Sequence, residues 1–133
     1  MIMRLAPFAL ILAIAAPLAA DVPRTAEPKL SLYQETALRC SAVLGIIASE
    51  QARKVPGATA YPPLGQRGRE YFVRNAARLM DETGATRDQV SAMLQTRVQQ
   101  FQDMTAKSAD PKATVSATII PCLTLLDAEV PRN

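Results

Sequence analysis

The sequence predicts an all-α fold: a small bundle of about four helices, with one disulfide linking the first and last helices, preceded by a signal peptide. Three observations predict it. Apolar residues recur at steps of three and four along four separate segments. Each segment is bounded by a capping or helix-breaking residue. The two cysteines, Cys40 and Cys122, fall on the apolar stripes of the first and last segments.

The first twenty residues set the compartment. Arg4 precedes an apolar run from Leu5 to Leu18 that ends in Ala19 and Ala20, the order of basic start, apolar middle and small residues that marks a secretory signal. The run is shorter than the roughly 20 apolar residues a membrane-crossing helix needs, and Pro17 interrupts it. Residues 1–20 are therefore read as a cleaved signal peptide, the protein as periplasmic or secreted, and no stable membrane anchor is expected after cleavage. Cutting after Ala20 leaves Leu18, larger than signal cleavage prefers, three positions back. No cysteine stands at the junction to carry a lipid.

Residues 21–29 hold two prolines and little that is apolar, and read as a flexible leader. The helical domain is expected over 30–129, with 130–133 as a C-terminal tail. Ser31 and Gln34 form a capping box for a helix from Leu32 to about Lys54, whose stripe is Tyr33, Ala37, Cys40, Leu44 and Ile47. Ser41, Gly45 and Ser49 make a second stripe, of small residues, where another backbone has room to approach. Residues 55–65 carry three prolines and two glycines, which end the helix and predict a long connection.

The second helix is expected from about Gln66 to Thr83, burying Phe72, Val73, Ala76, Leu79, Met80 and Thr83, with Gly84 as its left-handed cap. Thr86 and Gln89 make another capping box, so a third helix runs from Arg87 to about Lys107 with Val90, Met93, Leu94, Val98, Phe101 and Met104 inward. Asp110-Pro111 signals a fourth start. Residues 112–120 alternate in a way that also suits a strand, but no partner strand is visible and Pro121 would remove a ladder hydrogen bond. A helix to about Glu129 is preferred, kinked or divided at Pro121.

Export places Cys40 and Cys122 where disulfides persist. Their bridge closes a loop that the chain-entropy model credits with about 4 to 5 kcal/mol. A redox pair would need C-x-x-C spacing or an activating base, and neither is present.

Chemistry is bounded by what the chain lacks. It contains no histidine, the commonest general base and metal ligand, and with both cysteines oxidised no zinc site remains. No glycine-rich phosphate loop is present, and no cofactor is expected. Net charge is +3 over the whole chain, with both signs interspersed, which gives no case for nucleic acid. Asp81 and Glu82 are adjacent carboxylates, but neighbours on a helix point about 100° apart, and both are placed to pair with Arg78.

Arg67, Arg74 and Arg78 project within about 40° of one another on the second helix. This is either a contact face for an acidic partner or a solvated face, with Glu70 and Glu82 in helical pairs. Tyr61 and Leu64 on the proline loop are either docking residues or a plug for the open end of the bundle. Met80, Met93 and Met104 are expected to pack inward. In layout alone, two cysteines clamping a short exported helical domain, the chain resembles the small acid-stress periplasmic chaperones. The expectation is a non-catalytic exported protein that binds another macromolecule, an envelope protein. Its alternatives are a carboxylate enzyme with its cleft under the loop, or a holdase.

Overall fold

The computed structural model describes residues 26–132, and the expected signal peptide lies outside them. Four α-helices follow in order: α1 (Leu32–Ala52), α2 (Gly65–Thr83), α3 (Arg87–Ala106) and α4 (Pro111–Glu129), with a short 3-10 turn at Ala58–Ala60 inside the first connection. No strand occurs among the described residues. No helix among them is long and apolar enough to cross a membrane.

The helix starts follow from local chemistry. Ser31 and Thr86 each accept the amide three residues on, while Gln34 and Gln89 return to the cap amide, so both capping boxes form. Asp110 Oδ1 accepts from the Ala113 amide at 3.0 Å with Pro111 in the first turn. Gly84 ends α2 at φ 71°. The first helix stops two residues short of the expected end: Arg53 caps it and Lys54 takes φ 57°. The Lys54 and Val55 amides then bond back to Gln51 and Glu50 carbonyls, the paired bonds of a Schellman motif.

The first helix is central and touches all three others. Its buried residues, Leu38, Cys40, Ser41, Val43, Leu44 and Ile47 among them, surround most of its circumference, as a helix enclosed by neighbours requires. One core joins Val43, Leu44, Leu64, Tyr71, Phe101, Ile119 and Leu126; a second joins Leu38, Leu79, Val90 and Met93. Cys40 and Cys122 are bonded, with Cα atoms 5.2 Å apart, fixing α1 to α4.

Several expectations are corrected. α2 is rotated relative to its apolar pattern: Gly68, Tyr71, Asn75 and Leu79 face inward, and Val73 is exposed. The close approach falls at Gly68, where an added Cβ would already touch the Leu44 and Leu64 side chains, whereas Gly45 has open space around it. The helix preferred over residues 112–120 does form, but α4 is not divided at Pro121 and runs through it as one helix. Met104 is exposed while Met93 is buried. Val130, assigned to the tail, is core, and Glu27, assigned to the leader, is bound to Arg97.

Candidate functional site

The three arginines singled out in α2 do come together, but around the end of α4. The last turn of a helix leaves carbonyl oxygens without intrahelical donors and carries the negative end of the helix dipole. No basic residue lies in the last turn of α4 itself; α2 supplies the charge instead. Arg67 donates to Val130 O through Nε at 3.2 Å and to Asp127 Oδ1 at 2.7 Å. Arg74 donates to Glu129 O at 3.1 Å and to the Glu70 carboxylate. Arg78 donates to the Tyr33 hydroxyl, lies 5.4 Å from the centre of that ring, and stands 4.0 Å from Glu129 Oε2.

Glu129 is the hub, accepting from Tyr33 Oη at 2.6 Å and Asn75 Nδ2 at 3.0 Å. Burial, then Glu129, raises the Tyr33 hydroxyl above its ordinary pKa; burial, with Glu129 nearby, pushes Tyr71 far above it. Asp127 is held below the usual carboxylate range by hydrogen bonds from Arg132 and then Arg67. The expected pairing of Arg78 with Asp81 and Glu82 does not form: Arg78 turns to Tyr33 and Glu129, and Glu82 accepts from Gln34 at 2.7 Å. All three arginines are thus engaged internally, as a clasp on α4.

The loop residues part ways. Leu64 is fully buried and plugs the bundle, so it is no contact residue. Tyr61 is half-buried and its hydroxyl lies 3.1 Å from Ser116 Oγ on α4. Between this loop and the start of α4 is a cleft of about 360 Å³. Ile47 and Glu50 of α1, Pro56 to Ala58 and Tyr61 of the loop, and Pro111, Lys112 and Val115 of α4 line it.

One side chain organises the loop wall. Gln51 Nε2 donates to the carbonyls of Ala58, Tyr61 and Pro62 at 3.1, 3.2 and 2.9 Å, and its Oε1 accepts from the Leu64 amide at 3.0 Å. A connection too rich in proline to make its own ladder has its polar backbone satisfied this way. Glu50 and Lys112, the two charged side chains on the cleft, form no ion pair among the described residues. The cleft therefore offers one carboxylate, one ammonium and a tyrosine edge on stiff walls, without a second acid for paired-carboxylate chemistry.

Sequence reasoning missed Gln51 and Arg97. Arg97 is buried in α3 and donates to Glu35 at 2.7 and 3.1 Å and to Glu27 at 2.6 Å, which raises its pKa further. Its signal was weak: a single arginine on the line from Val90 and Met93 to Phe101. Among the described residues no group of three or more Cys, Asp or Glu is placed to hold a metal ion. No protein-family model, no curated protein and no solved structure matches the chain.

Proposed function

We propose that the protein is an exported, non-catalytic binding module that holds an extended segment of an envelope protein in the cleft under the proline loop. The observation that supports this most is pre-organisation: Gln51 fixes the loop wall before any partner arrives. A wall already ordered spares the entropy that a mobile loop would lose on binding. Tyr61 presents an aromatic edge, and Glu50 and Lys112 give two unpaired charges of opposite sign with which to orient a peptide. The Cys40–Cys122 bridge supports export, since such bonds persist in oxidising compartments.

The test is site-specific photo-cross-linking in cells, with the probe at position 112 or, as a control, at exposed Arg69. One dominant protein captured from 112, absent from the control and lost with Gln51→Ala, is the expected result. Equal capture from both positions, or a spread of unrelated proteins, would overturn the cleft assignment and turn the reading to a holdase. Intact mass of envelope-recovered protein should begin at residue 21 and gain no alkyl groups before reduction. A full-length mass with two reactive thiols would overturn export.

A further inference from the structure

α1, α3 and α4 line a second, open-sided cavity, of about 190 Å³, beside the disulfide. Val43, Phe101, Pro121 and Leu125 line it together with the bridged Cys40 and Cys122. Its hydroxyls are already used: Thr36 Oγ1 donates to Leu32 O and Thr118 Oγ1 to Thr114 O, both at 2.8 Å. The walls thus ask for apolar atoms. The charged groups on the lining itself are both guanidinium ions, Arg39 and Arg97.

The two arginines are not equivalent. Arg97 is neutralised by Glu27 and Glu35. Arg39 is exposed on α1 and has no ion pair or hydrogen-bond partner for its side chain among the described residues. An apolar slot with one uncompensated cation at its edge is complementary to an apolar chain ending in an anion. A slot of about 190 Å³ suits a single apolar chain of moderate length.

We propose that this cavity binds a free medium-chain fatty carboxylate, its alkyl chain against Val43, Phe101 and Leu125 and its carboxylate on Arg39. This site is separate from the cleft under the loop and does not depend on it. The probe is sodium octanoate, compared with octanol and octyltrimethylammonium, each below its micellar concentration. Binding is followed by NMR through the methyl resonances of Val43 and Leu125 in protein purified from the envelope.

Saturable shifts centred on those two residues are expected, with octanoate tighter than octanol and octanol tighter than the cation. Arg39→Glu, an exposed change that leaves the fold intact, should weaken octanoate about fivefold or more and invert its order with octyltrimethylammonium. Thr118→Phe should fill the cavity and abolish binding of all three, with an unchanged far-ultraviolet circular dichroism spectrum as the check on folding. Absence of saturable shifts at Val43 and Leu125, or an order of preference that Arg39→Glu leaves unaltered, would overturn the assignment. Binding to anionic phospholipid vesicles in place of free octanoate would overturn it as well.

Discussion

Tyr71 is fully buried, yet its hydroxyl has no hydrogen-bond partner among the described residues. A buried hydroxyl without a partner opposes folding through its desolvation, while the ring around it contributes packing. Tyr71→Phe should therefore leave the urea midpoint unchanged or raise it, by up to about 1 kcal/mol. The same hydroxyl gives a pH signature. Its pKa is raised in the folded protein by burial first and by Glu129 second, so the group leaves stability independent of pH below the ordinary tyrosine value of about 10. Stability falls as pH rises beyond it, because only the unfolded chain then ionises readily. The alkaline unfolding edge should move upward in Tyr71→Phe; an edge that stays in place would assign it to Tyr33. Arg97 behaves in the opposite sense. Its side chain is 10% exposed and holds two carboxylates that are themselves 42% and 31% exposed. Arg97→Met leaves those acids within reach of water, so the loss in a urea titration should be about 2 kcal/mol, short of the 3 to 5 of a wholly buried broken pair.

At the scale of elements, the caps decide where helices begin and end, and one of them is strained. Lys54 occupies the left-handed position of the Schellman turn after α1 at φ 57°, where a Cβ is disfavoured and glycine is usual. Lys54→Gly should raise stability by about 0.5 to 1 kcal/mol, measured as a shift in thermal midpoint, and a fall would mean that the lysine side chain contributes a contact there. Caps were also what the sequence made most legible. Ser31 with Gln34, Thr86 with Gln89, Asp110 with Pro111, and Gly84 are local signals, and each works through atoms three or four residues away. The rotation of α2 was not legible, because periodicity counts apolar residues and the inward face of this helix carries Asn75 and Gly68. Asn75 bonds to Glu129 and Gly68 packs beside Leu44, partners on other helices that no local pattern reports. Gln51 was hidden for the same reason: glutamine at the end of a helix looks like any solvated residue until the loop folds onto it. Tyr61 stood out because a large aromatic between prolines is visible in any window, whereas its contact with Ser116 on α4 was not. Leu64 was legible as a plug.

The whole molecule is held at three levels along α4, each of a different kind. Its start is fixed by the Asp110 cap and the Tyr61–Ser116 contact, its middle by the bridge to α1, and its end by the arginine clasp from α2. The bridge joins positions 82 residues apart, so in the chain-entropy model it removes about 4 to 5 kcal/mol of freedom from the unfolded chain. Domains of this size have net stabilities of about 5 to 15 kcal/mol, which makes the bridge a large fraction of the whole. Paired Cys40→Ala and Cys122→Ala substitutions should then lower the unfolding free energy by about 4 kcal/mol. The urea slope should stay equal or rise, since an uncrosslinked chain exposes at least as much surface when unfolded. The order of loosening follows from where the other ties sit. Both remaining ties lie near the ends of α4, and the buried groups between them, Ile119 and Leu126, flank position 122. Amide exchange in the unbridged protein should accelerate first around the middle of α4, ahead of α1 and α2, which pack on each other without the bridge. A loss below 1 kcal/mol with uniform protection would show that the clasp and the core alone position α4.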